Sequence, residues 1–370
     1  MLAERPDFLN NDFLTARIMG PSIVTIGGGT GMSTMLRGLK NCTENLTAIV
    51  AMSDDGGSTG LLRQDLGMLP PGDVRNCILA LSNTEPLMQE LLNYRFKDGG
   101  LTGQCFGNLF LAALDGISPS FDSAVGAMCK VLAITGRVLP VTTENVYLEA
   151  EFENGAVVLG ESKIFQQKKK EKCRIKQVRL TKENPEPLPE ALKAIRNADM
   201  IVLGPGSLYT SIIPNLLVGG IADAICESSA LKVYVMNVMT QEGETEGYTA
   251  YDHINALHKH TCERIFDVCL VNTERFPYWM LEKYKTESAE PIRIDYDRLQ
   301  ESGVEVIERR LVGDNAELAR HDPESLSREL MLLHLSKHRR AGLFADFDRL
   351  VISRLFDVDT GLGSRGMGNY

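Results

Sequence analysis

An α/β fold is predicted for this chain: a Rossmann-like three-layer α/β/α sandwich on a mainly parallel sheet, with a small β-rich insertion. Three observations predict it. Short β-branched runs end abruptly in glycine turns, as in IVTIGGGTG from Ile23 and MIVLGPGS from Met200. Helices with one apolar face follow, and the rhythm returns in the second half. Between the halves lies a stretch that alternates in the manner of antiparallel strands.

The elements follow in order. The first twenty residues carry acids early and no continuous apolar run, so they read as a surface arm rather than a signal or transit peptide. Ile23 to Ile26 is a buried strand stopped by Gly27 to Gly31, and Met32, Met35, Leu36 and Leu39 then fall on one helical face. LTAIVAM is the second strand. The helix near Asp73 shows Val74, Cys77, Ile78 and Leu81 at the same spacing, with Asp73 as its expected N-cap. Further helices begin near Asn108 and near Ser120, the latter burying Phe121, Ala124, Val125 and Met128.

From Val141 the pattern changes. VYLEAEF and AVVLGE flank an Asn-Gly turn and predict a hairpin, and CRIKQVRL predicts a third strand, so residues of about 140–185 form the β-rich insertion. The lysine run Lys168 to Lys172 reads as a solvated edge. A helix over Glu190 to Asn197 precedes the strand at Met200. VYVMNVMT and VCLVNT are further strands, with a helix from about Ala250 to His260 between them. A short strand near Val304 to Ile307 and a helix from about Leu326 to His338 end the domain. It spans 21–339, leaving an arm at 1–20 and a tail at 340–370 whose apolar stretch FDRLVISRLF has no readable role.

Composition excludes several functions. With 44 % apolar and 24 % charged residues over 370 positions the chain is an ordinary globular protein, and its formal charge of -10 argues against a nucleic-acid partner. No window reaches the apolar length of a membrane helix. The eight cysteines contain no C-x-x-C pair and read as buried thiols of a reducing, cytoplasmic protein rather than a disulfide frame. His253, His258 and His260 lack the i, i+4 offset of a zinc-binding helix and read as surface or helix-end residues.

The loops carry the chemistry. A dinucleotide fingerprint needs a third glycine where Met32 stands, which weakens a nicotinamide oxidoreductase reading. Gly28, Gly29, Thr30 and Gly31 nevertheless let the backbone approach a phosphate at a helix start. Asp54 and Asp55 follow the second strand at the carboxyl edge of the sheet, where they could hold a ribose hydroxyl or Mg2+, or merely form an Asx turn. Ser58 and Arg63 extend that loop. Arg75 and Asn76, after Pro70 and Pro71, open a helix with a guanidinium able to clamp phosphate; a surface arginine on a capped helix is the alternative. In the second half Gly204, Gly206, Ser207, Tyr209 and Thr210 offer donors, hydroxyls and an aromatic face, and Asn237 and Thr240 occupy the same sheet edge. Two such loops predict a cleft between the halves.

Together IGGGTGMS, SDDGGSTGLLR, LPPGDVRN, FGNLFLAAL, ADMIVLGPGSLYTSIIPNLLV and NVMTQEGETEGYTAYDHI resemble the YvcK/CofD-like family, in particular its YvcK branch of gluconeogenesis factors, over roughly residues 20–335. The resemblance implies a UDP-sugar-binding or dinucleotide-binding (NAD(P)) regulator of cell shape and wall-precursor supply during gluconeogenic growth. A homodimer is expected, and the sequence identifies no regulatory protein partner. The family's other branch is a Mg2+-dependent 2-phospho-lactate-type transferase that acts on a deazaflavin and releases a guanine nucleotide. Carried over, the nucleotide contacts fall on Gly28, Gly29, Thr30, Asp54, Asp55, Ser58, Arg63, Asn76, Asn108, Gly206, Ser207 and Asn237, with Tyr284 and Arg320 on the sugar-nucleotide side. This chain departs from the family pattern at Gln104, where histidine is usual, and at KIFQQKKK after GES, where proline is usual.

Overall fold

A computed structural model describes residues 20–338 except 172, 287 and 314–317. The arm to residue 19 and the tail from 339 lie outside the described residues. Strand β1 (Ile23–Gly27) leads into helix α1 (Gly29–Leu39), and β2 (Leu46–Val50) into α2 (Gly57–Leu66), α3 (Gly72–Leu81) and α4 (Pro86–Asn93). Helices α5 (Phe106–Ile117) and α6 (Phe121–Val131) precede β3 (Arg137–Pro140). The insertion contributes β4 (Leu148–Phe152), β5 (Val157–Leu159), α7 (Glu161–Glu171) and β6 (Ile175–Leu180). The second half runs α8 (Pro189–Arg196), β7 (Met200–Leu203), a π-helical turn (Leu208–Ile212), α9 (Ile213–Leu216), α10 (Ile221–Glu227), β8 (Leu231–Val235) and α11 (Ala250–His260). It ends with β9 (Val268–Asn272), α12 (Tyr278–Lys285), α13 (Tyr296–Ser302), β10 (Glu305–Arg309) and α14 (Pro323–His338).

Seven strands form one sheet in the order β10-β9-β8-β7-β1-β2-β3, with every pairing parallel. Every residue of β1, β2, β7 and β8 is buried, as their mostly apolar, β-branched-rich sequences fit when helices cover both faces. Met32, Met35, Leu36 and Leu39 of α1 are wholly buried, and α3 and α14 pack on that helix. The strand order reverses between β1 and β7. In an open parallel sheet that reversal opens a crevice at the carboxyl ends of the two strands, so the two glycine loops face each other there.

The insertion is a separate three-stranded antiparallel sheet in the order β5-β4-β6, with Gly155 of the Asn-Gly turn at φ +84. Its outer face is laced by the Lys176–Glu151 and Arg179–Glu149 ion pairs.

Several expectations are corrected. Asp73 is not the N-cap of α3: Pro71 holds that position, because the Pro-Pro-Gly turn starts the helix earlier and leaves Asp73 in the first turn. The lysine run is not a solvated edge but the end of α7; Lys168 is 4 % exposed and its Nζ lies 2.7 Å from Glu246 Oε2. Lys172 lies outside the described residues. His253 is buried rather than at the surface, its Nδ1 2.8 Å from the Thr249 carbonyl one helical turn back. Cys226 and Cys262 are joined as a disulfide, so the all-thiol expectation fails for that pair; their sequence separation of 36 hid it, whereas Cys42, Cys77, Cys105 and Cys269 are buried thiols. Among the described residues no single helix is long and apolar enough to cross a membrane.

Candidate functional site

The crevice between β1 and β7 is a cleft of about 490 Å3. Its floor is the first glycine loop, Gly28 to Gly31, and the second, Pro205 to Ser207. The loops touch: a Cβ placed on Gly31 would lie 2.8 Å from the Pro205 carbonyl oxygen, so only glycine permits this approach. Helix α1 begins inside the cleft, and its N-cap residue Gly28 supplies no side-chain acceptor to the first turn. The first-turn N–H groups and the positive end of the helix dipole therefore face a prospective anion.

One carboxylate already answers that end of the helix. Asp73 Oδ2 lies where a Cβ on Gly28 would come within 2.4 Å, and Asp73 accepts hydrogen bonds from the Gly29 N–H and from Asn76. Burial, with the charge of Asp54 nearby, pushes the Asp73 carboxyl up to about 6.

The second loop is braced by side chains from the end of β8. The Gly206 N–H donates to Asn237 Oδ1 at 3.0 Å, Asn237 Nδ2 donates to the Gly206 carbonyl at 2.8 Å, and Ser207 Oγ donates to Gln241 Oε1 at 2.7 Å. Thr240 also lines the cleft, its hydroxyl accepting from the Glu290 N–H at 3.0 Å.

The far end of the cleft, toward β8, β9 and β10, is made by Met239, Tyr284, Ala319, Arg320 and His321. A small apolar cluster of Val238, Met239, Met280, Val312 and Ala319 underlies it, and Tyr284 packs on that cluster while its hydroxyl accepts from the Ala319 N–H at 3.1 Å. Arg320 is exposed, and among the described residues no carboxylate pairs with its guanidinium. Burial pushes the neighbouring His321 down to about 4, so this imidazole is neutral at physiological pH.

The structure thus brings Gly28, Gly29, Thr30, Gly31, Gly206, Ser207, Asn237, Thr240, Tyr284 and Arg320 onto one cleft. The other candidates lie elsewhere. Gly204 sits beneath the second loop at φ +73, and Tyr209 is buried with its hydroxyl 3.0 Å from that of Tyr248. Ser58 and Asn108 are buried together: Ser58 Oγ donates to Gln104 Oε1 at 2.7 Å and accepts from Asn108 Nδ2 at 3.2 Å. Arg63 is spent on the Asp54 carbonyl, Asn145 Oδ1 and the Val146 carbonyl, with its guanidinium 3.9 Å above the Tyr147 ring. Arg75 donates to the Leu92 carbonyl, Asn93 Oδ1, Cys105 Sγ and Asn76 Oδ1. Both guanidiniums tie loops together instead of reaching into the cleft.

Asp54 and Asp55 diverge. Asp54 Oδ1 accepts from the Gly56 N–H at 2.8 Å, and its other oxygen faces Gly72. Asp55 Oδ1 accepts from the Ser162 N–H at 2.9 Å, capping the insertion helix α7, with its other oxygen against Gly160. As placed, the pair does not converge on one Mg2+, and among the described residues no group of three or more His, Cys, Asp or Glu side chains is arranged for a metal.

Asp54 instead lines an adjoining chamber of about 300 Å3 together with Glu161, Phe165, Thr210, Gln241 and Glu244. Glu244 accepts from Thr210 Oγ1 at 2.6 Å and from the Tyr209 N–H at 3.2 Å, and burial pushes it up to about 7. Glu161 stands well above the usual carboxylate range through burial and the charges of Asp54, Glu244, Asp73 and Asp55. Sequence reasoning missed Phe165, Gln241, Glu244 and His321. The i, i+4 spacing of Ile164 and Lys168 could have revealed α7, but nothing local marks the others.

Comparison with known proteins places this architecture in a family. The family profile described as 2-phospho-L-lactate transferase CofD matches residues 23–312. The gluconeogenesis factor of Bacillus subtilis (strain 168) is 48% identical over 308 residues, covering 83% of this chain and 96% of that protein. The gluconeogenesis factor of Listeria monocytogenes is 42% identical over 314 residues, covering 85% and 95%. A crystal structure of a UPF0052 family protein from Bacillus halodurans superposes with a TM-score of 0.80 at 46% identity, covering 84% of this chain and 99% of that one.

Proposed function

The chain belongs to the CofD family and is similar throughout its α/β domain to the gluconeogenesis factors, and from that premise we propose that it binds a nucleotide sugar as a regulator. The observation that carries this reading is the meeting of two glycine loops at the switch point, with an exposed Arg320, which no carboxylate among the described residues pairs, and a packed Tyr284 at one end of the same cleft. Helix-start N–H groups hold a diphosphate, an arginine neutralises it, and an aromatic ring receives a base. A UDP-sugar has all of these parts, as does NAD(P), though Met32 in place of the third fingerprint glycine favours the UDP-sugar. On the same reading the protein acts in the cytoplasm, as a homodimer, on wall-precursor supply and cell shape during gluconeogenic growth.

The second reading, a Mg2+-dependent transfer to a deazaflavin with release of a guanine nucleotide, draws on the description of the family profile. Thermal unfolding separates the two. UDP-N-acetylglucosamine, UDP-glucose, NAD, NADP, GDP and GTP are each added with and without Mg2+, and the binders are assayed for turnover. A ligand at one hundred times its dissociation constant adds about 2.7 kcal/mol. Stabilisation by UDP-sugars without turnover is the expected result. Stabilisation by guanine nucleotides alone, with product formed from a deazaflavin acceptor, contradicts it.

A further inference from the structure

The insertion helix α7 reaches the cleft through one side chain. Phe165 is 40 % exposed and lines both the phosphate cleft and the adjoining chamber, and Gln241 is shared in the same way. The ring is held from behind. It presses on the backbone of Gly243, where a Cβ would meet Phe165 Cδ2 at 2.2 Å and where φ is +81. One turn further on, the Lys168–Glu246 ion pair fastens α7 to that same loop, and the Ser162 N–H bond to Asp55 fixes its other end.

The topology gives the two chambers different parts of a ligand. Tyr284 and Arg320 lie beyond β9 and β10, the glycine loops lie at β1 and β7, and Asp54 lies beyond β2. A nucleotide with its base at Tyr284 and its diphosphate on the glycine loops therefore carries its terminal group toward Asp54 and past Phe165.

We propose that Phe165 selects for the group on the ligand's terminal phosphate: a sugar-sized, uncharged, hydroxyl-bearing head group enters the adjoining chamber and packs its C–H face on this ring. The proposal rests on the nucleotide-sugar reading above. The chamber, at about 300 Å3, is at the small end of ligand sites and has room for one ring. Its Thr210 hydroxyl and Asp54 and Glu244 carboxyls suit hydroxyl and amide donors and would repel a further phosphate.

The test is calorimetric titration of the full chain with UDP and with UDP-N-acetylglucosamine, for the wild type, Phe165→Ala, Phe165→Tyr and Lys168→Met. The wild type is expected to prefer the sugar nucleotide. Phe165→Ala loses roughly tenfold more affinity for UDP-N-acetylglucosamine than for UDP, Phe165→Tyr restores the preference, and Lys168→Met, which removes the ion pair to Glu246 but touches no ligand, loosens it in the same direction. A wild-type preference that survives Phe165→Ala, or an equal loss for both ligands, overturns the role of Phe165 while leaving nucleotide binding in place. Binding of neither ligand by the wild type overturns both readings.

Discussion

The carboxylate of Asp73 accepts the N–H of Gly29 and lies against Gly28, at the N-terminal end of α1. A side chain therefore occupies part of the anion cradle, and an incoming phosphate meets a negative charge there. Asp73→Asn keeps an acceptor for Gly29 and removes the charge. The expected result is roughly fivefold tighter binding of a diphosphate ligand at pH 8, in line with the worth of a charge at a helix terminus. The gain shrinks below about pH 6, where Asp73 is already protonated. Titration calorimetry at the two pH values measures it, and a variant that binds more weakly at both would show that Asp73 helps the ligand.

Gly31→Ala tests the seam between the loops. The added methyl would meet the Pro205 carbonyl oxygen at 2.8 Å and carbon at 3.0 Å, both backbone atoms that cannot swing aside. Overpacking of this kind costs about 1–3 kcal/mol in urea unfolding, and the displaced loop should weaken ligand binding as well. Gly126→Ala in α6, where nothing lies within 4 Å, is the control and should be neutral or slightly stabilising.

Arg320→Ala should leave the melting temperature unchanged, because the side chain is exposed and pairs with no carboxylate among the described residues. Its effect belongs to the ligand: a lost charge-assisted hydrogen bond to phosphate lowers affinity roughly tenfold to a hundredfold. Equal affinities for the variant and the wild type would place the diphosphate away from this end of the cleft.

The buried acids make stability depend on pH in an unusual direction. Asp73 and Glu244 titrate at about 6 and about 7 in the folded chain, above their ordinary values of 3.8 and 4.5. Between the unfolded and folded values the native state binds more protons than the unfolded chain, so this contribution is full at low pH and is lost as pH rises through 6 and 7. Buried His253 and His321, pushed down to about 4, work in the opposite direction up to their ordinary 6.5, so the acid contribution is read by difference: between about pH 4.5 and 7 Glu244→Gln should lose less stability than the wild type. An unchanged slope in that variant would mean that Glu244 ionises freely.

Much of the fold was legible because its strands are buried on both faces. Ile23 to Ile26, Met200 to Leu203 and Val268 to Val271 have no solvent side to interrupt the apolar run, and α1 shows its buried stripe plainly. Elements with mixed surroundings were not legible. Strand β3 is four residues with an exposed Arg137 at its start, and α2 begins in GGSTG, which reads as a turn. Of the site, the glycine loops could be read locally, since close backbone approach demands glycine. The fates of Arg63 and Arg75 could not: the Val146 and Leu92 carbonyls that hold them come from 83 and 17 residues away. Phe165 was hidden for the same reason, because only the folded insertion carries α7 to the cleft.

The central claim is that a nucleotide diphosphate lies across the two glycine loops. The most direct measurement is a crystal structure of the complex with UDP-N-acetylglucosamine. The diphosphate oxygens should lie within hydrogen-bonding distance of the backbone N–H groups at the start of α1 and of the Gly206–Ser207 turn, with Arg320 paired to the same oxygens. A diphosphate seated instead in the separate groove that Asp55, Gln64, Arg63 and Tyr147 line, with the β1–β7 crevice vacant, would contradict the account.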